Sequence, residues 1–170
     1  MAISERLAMP KGQKVKIRLA EIVDKKAVVP EIQAPDKEGA IRELVDKLAE
    51  SGGIEKGLAA DVTARILERE ALGSTGIGNG IAVPHAKLPG ISEPAGVLGR
   101  APGGIDFSSL DGAITHTVFL FVSPADHPEQ HVALMSRFVT LIRKTDFVNF
   151  FRQTEGAEAL HDLLEEVDAW

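Results

Sequence analysis

Gly73-Ser-Thr-Gly-Ile-Gly-Asn-Gly80, running straight into Ile81-Ala-Val-Pro-His85, is the stretch on which the reading of this chain turns. Four glycines fall within eight residues, and the apolar run behind them predicts a short strand that delivers a histidine just after a proline. Pro84 fixes the backbone before His85 and helps aim the ring. From Ala71 to Ser92 there is no Asp or Glu, although 25 of the 170 residues are acidic. An acid-free, glycine-rich loop can close backbone N–H groups around an anion, because glycine allows a close approach. The same pattern also fits a turn that needs several positive φ angles, and pattern alone does not separate the two readings. The segment lacks the Lys-Ser/Thr end of a phosphate-binding P-loop, and it does not open a helix in the G-x-G-x-x-G manner. No bound nucleotide is expected.

Upstream, Ala59 to Leu72 reads as a helix with Val62, Ile66 and Leu67 inward. Gly73 then stands where a left-handed C-terminal residue would be needed. Before it, Ala40, Ile41, Leu44, Val45, Leu48 and Ala49 share one helical face, capped by Asp36 and ended by Gly52-Gly53. Val15, Ile17 and Leu19 alternate with Lys16 and Arg18, a strand signal. Ala27 to Ile32, interrupted by Pro30, is at best an edge strand. Downstream, Ala95 to Leu98 predicts a strand and Pro102-Gly-Gly104 a turn. His116 to Val122 is the most apolar strand and is expected at the centre of the sheet. Helices follow over Pro128 to Arg143, with Leu134, Phe138, Leu141 and Ile142 inward, then near Asp146 to Arg152 and Glu155 to Val167. Strands interleaved with helices at irregular spacing predict an α/β sandwich on a mixed β-sheet. Residues 1–13 read as an N-terminal arm and 14–170 as a single domain.

With 44% hydrophobic residues the chain can bury a core, and with no cysteine it has no disulfide, thiolate metal site or cysteine nucleophile. Net charge of −6 argues against a nucleic-acid partner. No apolar run is long enough to span a bilayer, and no signal peptide is evident. A cytoplasmic location without membrane insertion is expected.

His85 acquires weight from a second histidine. Asp126-His-Pro-Glu-Gln-His131 reads as a helix start, with Asp126 or His127 as cap and Pro128 in the first turn. His131 then sits near the positive helix end, which disfavours its protonation. A neutral ring nitrogen can donate to a phosphoryl oxygen without trapping the group by fixed charge. His127 and His131 are four apart, a spacing that can chelate zinc. However, Pro128 places His127 off the helical face, and there is no H-E-x-x-H pattern. No metal and no cofactor are expected. His116, in its strand, and His161, in the last helix, read as structural.

Arg69-Glu-Ala-Leu-Gly-Ser-Thr-Gly-Ile-Gly-Asn-Gly-Ile-Ala-Val-Pro-His85-Ala-Lys closely resembles the signature of type-2 enzyme IIA domains, the fructose, mannitol and nitrogen-regulatory branch of the bacterial phosphotransferase system. The resemblance runs from about Ile17 to the C-terminus and includes Leu67-Glu-Arg69-Glu and Leu110-Asp-Gly112. It implies a mixed sheet with helices on both faces and a phosphocarrier function. It implies that His85 is phosphorylated through Nε2, that His131 is the second active-site histidine, and that Arg69 lies near the phosphoryl group. Ser74 and Thr75 match loop hydroxyls beside the site. The implied donor is the phosphocarrier HPr. The implied acceptor is an enzyme IIB domain, with a regulatory target protein as the alternative. Ala86 stands where many relatives have glycine, and His127 matches no known position.

A carrier of this kind must bring its histidine to another protein's histidine, so His85 is expected in a shallow exposed depression with an apolar rim. Ile77, Ile81 and Leu88 flank it and are either that rim or core. Ile77, isolated between Gly76 and Gly78, is the best candidate for exposure.

Overall fold

The computed structural model describes residues 17–170, so the N-terminal arm and the start of the strand expected at Val15 lie outside the described residues. In chain order the elements are α1 (Leu19–Ile22), β1 (Val23–Val29), α2 (Lys37–Glu50), a 3-10 turn (Lys56–Leu58), α3 (Ala59–Leu72), β2 (Gly76–Gly78), β3 (Ile81–Ala82), β4 (His85–Leu88), β5 (Ala95–Ile105), β6 (Thr115–Pro124), α4 (Pro128–Ile142), α5 (Thr145–Gln153) and α6 (Ala157–Val167).

The apolar run of β6 is buried on both sides, and the strand lies in the middle of a mixed sheet ordered β1-β5-β6-β3-β2. It pairs antiparallel with β5 along one edge and parallel with β3 and then β4 along the other. Ile81 faces Thr117 and His85 faces Phe121, so the register is unchanged across the Val83-Pro84 break. Alternate residues of a strand point to opposite faces. Phe119 and Phe121 meet the rings of Phe138, Phe147 and Phe151 from α4 and α5. Val118, Leu120 and Val122 point the other way, toward the layer formed by α2 and α3. The expected sheet with helices on both faces is the fold observed.

Asp36 caps α2 as predicted, its side chain accepting from Gly39 N at 2.8 Å. β1 ends before Pro30 and is an edge strand, but it starts at Val23 rather than Ala27. Three expectations are corrected. Leu19 opens a helix instead of continuing a strand, because the Asp168 carboxylate accepts from Leu19 N (2.7 Å) and Ala20 N (2.9 Å) and caps that turn from the far end of the chain. Pro102-Gly-Gly104 is not a turn: β5 continues through it to Ile105, with the pairing register broken between Arg100 and Ile105. An irregularity of this kind accommodates the proline and glycines that a regular ladder excludes. Gly73 is extended (φ 159°, ψ 146°), not left-handed, and its carbonyl accepts from Arg69 Nη1 at 2.9 Å.

The glycine-rich segment is a β-hairpin. Strands β2 and β3 pair antiparallel around Asn79 (φ 57°) and Gly80 (φ 78°), two successive positive φ angles as in a type I′ turn. Gly76 serves a different need: a side chain there would collide with Ser109. The turn at Gly80 makes a simple comparison possible. Gly80→Ala is expected to cost about 1–2 kcal/mol from the left-handed backbone alone, whereas Gly57→Ala, in open space, should stay within about 0.5 kcal/mol of wild type. Equal urea midpoints for the two variants would contradict this account of the hairpin.

Candidate active site

β4 carries His85 onto the sheet directly beside Phe121 of β6, and the two rings stack with centroids 5.4 Å apart and planes 13° from parallel. Pro84 has no N–H, and Val83 turns its amide away from β6 to Thr75 O at 2.9 Å. The Val83 carbonyl is then free to accept from His85 Nδ1 at 2.8 Å. With the proton held at Nδ1, Nε2 keeps its lone pair.

His131 comes from the first turn of α4, behind His127 as N-cap and Pro128. Its ring centre is 5.1 Å from that of His85 and 5.6 Å from that of Phe121. Its Nδ1 lies 3.3 Å from the hydroxyl of Ser123, a fully buried β6 residue. Arg69 comes from α3, where Arg65, Glu68, Arg69 and Leu72 share one face through the helical 3–4 spacing. These four, with His85, Ala86, Lys87 and His131, line an open cleft of ≈ 510 Å³.

The structure therefore brings His85, His131 and Arg69 together. It does not place Ser74 or Thr75 among the lining residues. The Ser74 hydroxyl donates to Phe107 O and accepts from Gly76 N (2.9 Å), and the Thr75 hydroxyl donates to the buried Glu70 carboxylate. The acid-free stretch thus has a carboxylate at its edge. His127 is exposed and its ring meets Glu129 at 3.1 Å. His116 bonds Ala101 O, and His161 bonds Val23 O across the sheet edge. Arg65, Leu72 and Lys87 were not singled out from sequence. Helical spacing from Arg69 and strand alternation from His85 are the signals that point to them.

The depression differs from the one expected. His85 is only 8% exposed, a floor residue rather than a projecting one. Ile81 and Leu88 are core, and Ile77 is half-buried against it. The large apolar side chain of the cleft that does reach solvent is Leu72, 83% exposed at the end of α3. A leucine in the last turn of a helix whose Val62 and Ile66 are buried is hard to recognise as exposed from one sequence.

Both imidazoles are kept neutral. Burial lowers the pKa of His85, with Arg69 and Lys87 adding to the effect while the Val83 hydrogen bond and Glu70 oppose it. His131 is pushed down to about 4, chiefly by burial and then by the neighbouring charges of His85, Lys87 and Arg69. The expected neutrality of His131 is present, but desolvation leads it.

The sequence profile of the family described as "Phosphoenolpyruvate-dependent sugar phosphotransferase system, EIIA 2" matches residues 21–167. The chain belongs to this family. It is 32% identical over 146 residues to the nitrogen regulatory protein of Bradyrhizobium diazoefficiens, covering 86% of this chain and 94% of that one. It is also 32% identical over 152 residues to the fructose-specific EIIABC component of Bacillus subtilis, covering 89% of this chain but only 24% of that longer protein. The nitrogen regulatory protein IIA-Ntr of Neisseria meningitidis has the same fold, with a TM-score of 0.77 at 23% identity over 86% of this chain and 98% of that one. Among the described residues of this EIIA domain, no helix is long and apolar enough to cross a membrane.

The half-buried imidazole of His131 has a consequence for acid stability. A histidine whose folded pKa lies below its unfolded value stays neutral in the fold while the unfolded chain takes up a proton. Stability attributable to it is then lost as pH falls from about 6.5 toward about 4, and levels off below that. His131→Asn is expected to show a smaller fall in urea midpoint over this window than wild type. Parallel pH profiles for the two proteins would remove His131 as a source of the acid sensitivity.

Proposed function

We propose that this EIIA domain is a cytoplasmic phosphocarrier in which Nε2 of His85 accepts a phosphoryl group and passes it on. The observation that carries this reading is the Val83 carbonyl on His85 Nδ1, which leaves Nε2 as the free nitrogen of a neutral ring. The donor is a phosphohistidine on an HPr-type protein. The Nε2 lone pair forms the new N–P bond while the donor's N–P bond breaks and its electrons return to the donor imidazole. The Nδ1–H stays on His85, so the phosphorylated ring carries positive charge shared with the Val83 carbonyl. That charge keeps the N–P bond ready to break in the next transfer.

Arg69, Arg65 and Lys87 supply cationic surroundings for the phosphoryl oxygens. His131 contributes Nε2–H when Ser123 donates to its Nδ1, a donor without fixed charge. Ser74 and Thr75 act by holding the turn before the hairpin, each through the hydrogen bond it already makes. Acceptance and release both need only protein groups that neither gain nor lose much on transfer.

Downstream, the phosphoryl group goes to an enzyme IIB domain or serves as a regulatory signal to a target protein. The Bacillus relative carries its EIIA part within an EIIABC component, which supports the first use. The match along almost the whole of a nitrogen regulatory protein supports the second. Leu72 is the apolar centre on which the donor docks.

Incubation with enzyme I, HPr and phosphoenolpyruvate should label wild type at an acid-labile, base-stable site and leave His85→Ala unlabelled. His131→Ala should still accept the group but transfer it about 10²–10³-fold more slowly. Full labelling of His85→Ala would end the proposal. Leu72→Glu should weaken transfer from phospho-HPr with Tm nearly unchanged, since the side chain packs on nothing. Wild-type transfer in that variant would move the docking face elsewhere.

A further inference from the structure

Among the described residues, Glu70 is the only carboxylate that is buried, at 7% exposure, and the cleft does not contain it. A carboxylate taken out of water must be matched by donors or a cation. Glu70 is matched by three: Thr75 N at 3.2 and 3.3 Å from its two oxygens, the Thr75 hydroxyl, and Lys37 Nζ at 2.9 Å. Lys37 also donates to Phe107 O at 3.2 Å and lies over the Phe107 ring. That carbonyl is the one the Ser74 hydroxyl uses. The turn between α3 and the hairpin is therefore fastened at Ser74 and Thr75 to a single ion pair whose carboxylate is buried and whose lysine is half-buried.

The fastening continues to the reacting ring. Thr75 O accepts from Val83 N at 2.9 Å, and Val83 O accepts from His85 Nδ1 at 2.8 Å. At Thr75 and again at Val83 the path crosses a Cα between the amide and the carbonyl. It therefore transmits position and not electronic polarisation. If the Ser74–Thr75 turn drifts, the Val83 amide loses its partner, and the carbonyl that selects the His85 tautomer moves with it.

We infer that Glu70, held by Lys37, is a positioning residue for phosphoryl transfer, fixing the turn from which Thr75 and Val83 hold the proton of His85 at Nδ1 and leave Nε2 as nucleophile. The consequence for transfer rests on the phosphocarrier reading, whereas the effect on the tautomer does not. A merely structural Glu70 would change stability and leave the tautomer of the folded protein alone.

The test is ¹⁵N NMR of the histidine rings in the unphosphorylated full chain at neutral pH, paired with transfer rates from phospho-HPr. In wild type, His85 should be protonated at Nδ1 and unprotonated at Nε2. Glu70→Gln should turn this into a mixture of tautomers and slow transfer about 10- to 100-fold, the loss expected when a reacting atom is misplaced by about 1 Å. Thr75→Val, which keeps the amide and removes the hydroxyl, should move both readouts in the same direction by less, and Thr75→Ser should restore them. If Glu70→Gln does not fold, the Thr75 pair decides the question. A wild-type tautomer in folded Glu70→Gln, or in Thr75→Val when that variant alone is folded, overturns the proposal, as does a tautomer change with unaltered transfer. If wild type itself takes no phosphoryl group, the phosphocarrier reading fails, and the ring spectra still decide what Glu70 does.

Discussion

Val83 and Pro84 interrupt the ladder along β6 without shifting its register, and much of the site follows from that interruption. A regular strand would spend the Val83 amide and carbonyl on its neighbour. Here the amide goes to Thr75 and the carbonyl to the ring of His85, while Pro84 O receives Phe121 N at 3.1 Å and the ladder resumes. Because the register is kept, His85 lands opposite Phe121 and inherits the packing of the phenylalanine cluster behind it. The ring of His85 is thus part of the core on one side and the floor of a cleft on the other. Rigid support of this kind is what an in-line transfer demands, since small displacements of the nucleophile are costly.

The electrostatics suit the proposed phosphocarrier role, in which a group must be released as well as accepted. Two imidazoles lie close enough that both being charged is unfavourable, and burial keeps both neutral. The positive charge of the cleft comes instead from Arg65, Arg69 and Lys87 at its walls, moderated by Glu68. In the proposed transfer, oxygen charge on a phosphoryl group is met by side chains that can relax toward solvent, not by a closed cage.

Much of this was legible in sequence, for identifiable reasons. The helices α2, α3 and α4 carry long, periodic apolar faces, and Asp36, Gly52 and Pro128 mark ends by local chemistry that tertiary contacts do not override. His85, His131 and Arg69 each belong to a distinctive local pattern, and the fold brings them into one cleft. The misreadings share a cause. Leu19 is helical because of Asp168, and the Pro102-Gly-Gly104 run is strand because β6 lies beside it. In each case a partner far away in sequence outweighs the local signal. The Asn79-Gly80 turn is the exception: its hairpin signature is local, and it was hidden by the glycines around it.

The cap on α1 ties the two ends of the domain together. Asp168 reaches Leu19 across 149 positions, so the turn it closes is made before the rest of this fold and is among the last parts of it to be completed. β1 follows that turn directly, pairs among the described residues only with β5, and is covered by α6, which ends just before Asp168. A nascent chain can therefore assemble the β4–β5–β6 centre and its phenylalanine cluster while its N-terminal margin waits, unpaired, for the final helix. Translation order and the order of structural closure run opposite ways at this edge, and the fold described here closes only once α6 and Asp168 have been made.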